Sequence, residues 1–242
     1  MKQIARRWVL AGVLVAIAGA LVWAALKPRR RRAQAYTTEA RVAQFGARVD
    51  ARLKPAFAAL DPRAPAYPPA EIALVAFKDT RQLELYARAS SDAPWSYIKT
   101  YAVQAASGLL GPKLQAGDRQ VPEGIYAVEF LHPNSRFHVS LKLDYPNAFD
   151  RRMGAADGRR DLGSDIMIHG GAYSIGCLAM GDDAIEEIFV LAARAGVARV
   201  RVVICPTDFR INDGAALPTK PAWTRELYGE LHAALVRYPR QA

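Results

Sequence analysis

The sequence predicts an α+β domain, rich in β-strands, behind one N-terminal transmembrane helix. Three observations lead there. Trp8 to Leu26 is a run of nineteen residues without a charge. Apolar residues then recur at helical spacing as far as Leu60, and change to strict alternation after the Pro-rich stretch 61–69. Beyond it come several short alternating runs between Gly- and Pro-rich loops, with helical patterns only near the end.

The apolar run is long enough to span a ~30 Å hydrocarbon core at ~1.5 Å per residue. Trp8 and Trp23 sit near its two ends, where an interfacial aromatic belt belongs. A cleavable signal peptide is the competing reading, since Ala33-Gln34-Ala35 has a cleavage-site shape. Arg29 to Arg32 separate that site from the apolar run, which favours an uncleaved anchor. The cation count is higher after the run than before it, so a bare positive-inside count keeps the body in the cytoplasm. The chemistry argued below points the other way.

Charge excludes one function class. The net charge of +10 suggests a nucleic-acid partner, but eight of the 33 Lys and Arg lie within residues 1–32, where there is no acid. The remaining 25 face 23 acidic residues, so the body is nearly neutral and nucleic acid is set aside. Two cysteines, Cys177 and Cys205, are too few for a disulfide scaffold or a Cys-based structural zinc site.

The elements follow in order. Val42, Phe45, Val49, Leu53, Phe57 and Leu60 make an amphipathic helix over 37–60, and DPRAPAYPP at 61–69 ends it as a linker. Together they form a segment, 36–70, between the anchor at 1–35 and the body at 71–242. Ile72, Leu74 and Ala76, then Leu83, Leu85 and Ala87, alternate around Lys78-Asp79-Thr80-Arg81 as a β-hairpin. Trp95 to Val103 is a further strand, and 107–124 is loop. Ile125 to Leu131 and Arg136 to Leu143 are two strands joined by His132-Pro133-Asn134-Ser135. Residues 145–165 read as one long polar loop carrying Arg151, Arg152, Arg159 and Arg160. Those arginines are either a solvated face or contacts for acidic groups. Asp183 and Glu186 have the spacing of a capping box before a helix that ends near Gly196. Arg199 to Ile204 alternates as a strand, and 221–238 is a final helix.

One stretch carries chemistry. Residues 166–180 read IMIHGGAYSIGCLAM. Gly170, Gly171 and Gly176 let the backbone turn tightly and let a substrate approach main-chain N–H groups. A thiol at Cys177 can act from such a turn while nearby N–H groups face a developing oxyanion. His169 is the nearest base in sequence that can take its proton. On residue types alone, an ordinary strand–loop–helix junction with a buried cysteine is an equal reading. A metal site is weaker, because no third or fourth ligand clusters nearby.

HGGAYSIGC resembles the active-site signature of the YkuD-type L,D-transpeptidase catalytic domain, usually a His-Gly, a variable loop and then Ser-His-Gly-Cys. It is most similar to the YafK-like branch, which has a short loop and lacks the second His; here Ile175 holds that position. GPKL at 111–114, QVPEG at 120–124, NSRFHVSL at 134–141, YPNAFD at 145–150 and IMIHGG at 166–171 also resemble that branch. The similarity runs from about residue 71 to 238.

The resemblance implies a β-rich L,D-transpeptidase-like fold with flanking helices, acting on peptidoglycan stem peptides from the periplasmic side of an inner-membrane anchor at 8–26. It implies Cys177 as nucleophile, His169 as base, the Gly170 carbonyl as orienting group, and Ser174 and Gly176 as shapers of the turn and oxyanion site. His138, Tyr145 and Asn147 are candidates for lining the cleft, each against a structural role. No metal or organic cofactor is implied. Transfer of the acyl group to an amine of another stem gives a cross-link. The alternative is a thiol amidase or hydrolase that trims stems or releases protein attached to peptidoglycan. A non-catalytic wall-binding protein needs neither His169 nor Cys177. Cys205 reads as a structural cysteine, with a Cys177–Cys205 disulfide left open.

Overall fold

The computed structural model describes residues 35–61 and 64–240. The apolar run at 8–26 and its basic flanks lie outside the described residues. Among those described, no helix is long and apolar enough to cross a membrane.

Helix α1, Thr38–Ala58, is capped by Thr37, whose hydroxyl accepts from the Ala40 N–H at 3.2 Å. Its buried residues Phe45, Val49, Leu53 and Phe57 form one stripe at helical spacing. Burying each such side chain contributes ~1.5–3 kcal/mol. Strands β1 (Glu71–Phe77) and β2 (Gln82–Arg88) form the hairpin, closing at Phe77 opposite Gln82. Strands β3 (Ser96–Ala102) and β4 (Ala105–Ala106) follow. Next come β5 (Gly124–Ser135), β6 (His138–Leu143) and helix α2 (Ala148–Ala156). The short strands β7 (Met167–His169) and β8 (Leu178–Ala179) bracket the glycine-rich stretch. Helix α3 (Asp182–Ala195), strand β9 (Val200–Cys205) and helix α4 (Thr224–Leu235) complete the order.

The nine strands make one sheet, in the order β3-β2-β1-β9-β5-β6-β7-β8-β4. Two cores flank it. Helices α1 and α3 cover one face, over Leu74, Leu85, Val202, Leu141, Ile168 and Leu178. Helix α4 covers part of the other face, over the core side chains Val75, Tyr86, Val203 and Cys205 of β1, β2 and β9, and also meets β5. Opposite α1 and α3, no helix among the described residues forms such a core over β6, β7 and β8. This is the mixed, sheet-rich architecture with flanking helices that the patterning implies, and residues 38–58 share its first core.

Several local expectations change. The polar stretch 145–165 contains α2, whose start is a capping box: Asn147 Oδ1 accepts from the Asp150 N–H, and Asp150 accepts from the Asn147 N–H. The turn between β5 and β6 falls at Arg136-Phe137, so His132 lies in a strand, next to a bulge. Asp183 does not cap α3. The N-cap is Gly181, without a side-chain cap bond, and Glu186 turns instead toward α1 and β6. The final helix is shorter than its apolar pattern, 224–235.

Candidate active site

Strand register explains why the chemistry-bearing side chains meet. Strands β7 and β8 are parallel, with Ile168 opposite Leu178 and His169 opposite Ala179. Ile168 and Leu178 point into the core under α1 and α3. Side chains alternate along a strand, so Met167, His169 and Cys177 emerge on the opposite, uncovered face. There His169 and Cys177 line one pocket of about 670 Å³ with Lys113, Phe137, Asp165 and Met167.

His169 is buried, and its Nδ1 lies 2.6 Å from the Gly170 carbonyl oxygen. A carbonyl can only accept, so Nδ1 carries the proton and Nε2 is left as the basic nitrogen. Phe137 stacks on the ring, centroids 4.6 Å apart and planes at 24°. Burial pushes the imidazole pKa down, against the pull of the Gly170 carbonyl.

Cys177 is half-buried and donates its thiol to the Asp165 carbonyl at 3.7 Å. Burial pushes its pKa up. The Met167 N–H and Lys113 oppose this, while the Asp165 carboxylate adds to it. Both shifts favour the neutral forms, thiol and imidazole. No hydrogen bond joins them among the described residues. Cys177 and Cys205 are both free thiols, and Cys205 is fully buried under α4.

The turn before the thiol is organised by one hydroxyl. Ser174 Oγ donates to the Cys177 carbonyl at 2.6 Å and accepts from the N–H groups of Gly176 at 3.3 Å and Cys177 at 3.2 Å. Ser107 reaches the same oxygen through its N–H and its hydroxyl, at 3.3 and 3.2 Å, tying loop 107–121 to the turn. Gly176 adopts φ 124°, a value that L side chains rarely take. Gly170 is required for another reason. An added Cβ there would lie 2.6 Å from Asp182 Oδ1 and 2.8 Å from the Phe137 carbonyl oxygen.

Thus His169, Gly170, Ser174, Gly176 and Cys177 come together. His169 and Cys177 line the pocket, whereas His138, Tyr145 and Asn147 lie outside its lining and are held by other partners. His138 lies at φ 73°, which breaks the alternation of β6, and its Nε2 meets Glu186 Oε1 on α3 at 2.8 Å. Tyr145 is buried and donates to the Leu162 carbonyl at 2.9 Å. Asn147 caps α2 and donates to the Ile125 carbonyl at 2.9 Å. Lining residues that sequence reasoning missed are Phe137, Lys113, Asp165 and Met167. Lys113 sits within the GPKL block and Phe137 within the NSRFHVSL block.

The sequence model of the YkuD family, the L,D-transpeptidase catalytic domain, matches residues 72–204. YafK of Escherichia coli K12, which carries an L,D-transpeptidase name, is 38% identical over 142 residues, covering 57% of this chain and 54% of its own. The chain thus spans about half the length of that relative. Among solved structures, the helical cell shape determining protein Pgp2 from Campylobacter jejuni aligns at 21% identity with a TM-score of 0.47. That match covers 57% of this chain and 48% of the other. Bd1075 of Bdellovibrio bacteriovorus aligns at 21% identity with a TM-score of 0.41, at the same coverage. With the family match spanning more than half of the chain, the protein belongs to the YkuD family of L,D-transpeptidase catalytic domains.

Proposed function

We propose that the protein is a thiol acyltransferase acting on peptidoglycan stem peptides, with Cys177 as nucleophile and His169 as base. The observation that carries this is the shared sheet face of His169 and Cys177, with the His169 tautomer fixed by the Gly170 carbonyl. His169 Nε2 takes the thiol proton as sulfur attacks the carbonyl of the L-centre of a diaminoacyl residue. The C–N bond to the distal D-residue breaks, and the leaving amine takes the proton from the imidazolium. An acceptor amine then attacks the thioester, gives its proton to His169, and expels the thiolate. The N–H groups of Gly176 and Cys177, in the turn that carries the thiol, are the donors assigned to the oxyanion. Both point at Ser174 Oγ at rest, so the oxyanion has to replace that hydroxyl as their acceptor. Residues 8–26 anchor the protein to the inner membrane with the body in the periplasm, where the polymer is. Water as acceptor gives the hydrolase alternative, including release of wall-attached protein.

The test is incubation of the chain with purified muropeptides, followed by mass spectrometry of products and intact protein, beside Cys177→Ala. A thioester adduct and dimeric products, both absent from the variant, support transfer. Shortened or released monomers move the assignment to hydrolysis. Products that persist in Cys177→Ala refute the proposal.

A further inference from the structure

Helix α1 lies wholly outside the residues that the family match covers, yet it reaches toward the active-site histidine. Arg48 on α1 forks onto Glu186 of α3, with Nε donating to Oε2 at 2.6 Å and Nη2 to Oε1. The same Oε1 takes His138 Nε2 at 2.8 Å, and the His138 ring packs on Phe45 of α1 with centroids 5.2 Å apart. The Glu186 side chain is 5% exposed, so losing a partner leaves a buried carboxylate undersatisfied. His138 holds a left-handed backbone, a strained conformation that needs such an anchor. Its neighbour Phe137 is the residue stacked on His169, and the Phe137 carbonyl accepts the Gly170 N–H at 3.0 Å. The Gly170 carbonyl in turn fixes His169 Nδ1.

We infer that Arg48, Glu186 and His138 form a positioning clamp through which α1 sets the orientation of His169, by way of Phe137 and the Gly170 peptide. The helix is then a working part of the site rather than a spacer from the membrane. The inference rests on His169 being the base of the proposed reaction.

The experiment compares Arg48→Met, His138→Leu, His138→Gln and Arg194→Met in the full chain. Arg194 also joins α3 to α1, through Asp50 at 2.6 Å, and serves as a stability control outside the clamp. One readout is muropeptide turnover. The other is the ring resonance of His169, assigned with His169→Gln and shifted by the Phe137 ring current, which needs no catalysis. Arg48→Met and His138→Leu are expected to move that resonance and to lower kcat by about 10- to 100-fold with KM unchanged. The double variant should lose no more than the worse single one, because both act through Glu186. His138→Gln, which can still present an amide N–H to Glu186, should restore most of kcat. Arg194→Met should lower Tm with kcat and the resonance unchanged. An unmoved resonance in Arg48→Met, additive losses, or an equal kcat loss in Arg194→Met each overturn the clamp. If no variant turns over muropeptides and Cys177→Ala behaves like the parent, the reaction proposal fails while the resonance still decides the clamp.

Discussion

Replacing Gly170 with alanine isolates the packing that fixes the peptide beside His169. The residue has no left-handed φ to lose, so the effect is steric alone. The new Cβ would meet Asp182 Oδ1 at 2.6 Å, the Phe137 carbonyl oxygen at 2.8 Å and His138 Cβ at 3.0 Å. Two of these cannot withdraw freely, since Phe137 O accepts the Gly170 N–H and Asp182 Oδ1 accepts the Gly171 N–H at 2.8 Å. Overpacking of this kind costs ~1–3 kcal/mol, which is a fall in Tm of ~2–12 °C for a domain of this size. Relief requires the Gly170 peptide to move, and its carbonyl leaves His169 Nδ1. Turnover should then fall by about 100-fold. Gly171→Ala is the matched control. Its φ of 67° makes alanine strained, but the nearest atom is 3.9 Å away. It should lose ~1–2 kcal/mol of stability and little turnover. Thermal unfolding and initial rates on muropeptides check both variants. A Gly170→Ala protein with parental Tm and kcat refutes the steric argument.

Other substitutions test the rest of the site. Ser174→Ala removes the hydroxyl that joins the Ser107, Gly176 and Cys177 peptides, and should lower turnover about tenfold through loss of loop order. Turnover faster than the parent would mean that freeing the Gly176 and Cys177 N–H groups for the oxyanion outweighs the loss of loop order. Burial, reinforced by the Asp165 carboxylate, holds the Cys177 thiol above its ordinary pKa. Its iodoacetamide alkylation should therefore rise with pH through a midpoint above that of free cysteine, and Asp165→Asn should move the midpoint down; an unmoved midpoint contradicts that account. Burial raises the Asp150 pKa from 3.8 to about 6. The folded form binds that proton more tightly than the unfolded chain, so this contribution falls as pH rises from about 4 to about 6, by on the order of 2 kcal/mol. Asp150→Asn should flatten that part of the Tm–pH curve, and an unchanged slope would assign it elsewhere.

Much of the architecture was legible because burial follows simple periods. Ile72, Leu74 and Ala76 alternate, as do Leu83, Leu85 and Ala87, and all six point into the core under α1 and α3. The stripe of α1 was equally plain. Helix α2 was not, since its buried side of Met153 and Gly154 is too small to show a period. The Asn147–Asp150 capping box was its only local signal. Strands β4 and β8, at two residues each, have no period to detect. At the site, the glycines and the His–Cys pair stood out by residue type. Phe137 and His138 could not be placed because one left-handed residue exchanges their faces, which no alternation rule foresees.

The unequal covering of the sheet has a consequence for how the protein can vary. Where α4 closes the second core over β1, β2 and β9, a changed side chain alters stability and leaves the chemistry alone. Over β7 and β8 that same face carries catalytic candidates in place of a core, so under the proposed reaction it can be rebuilt for another acyl acceptor without opening a cavity. One sheet thus divides its tolerance along its width. Directed evolution of acceptor choice should find neutral stability costs at Ile175 and Tyr173, which are 60% and 59% exposed, and steep ones at Val203 and Leu231.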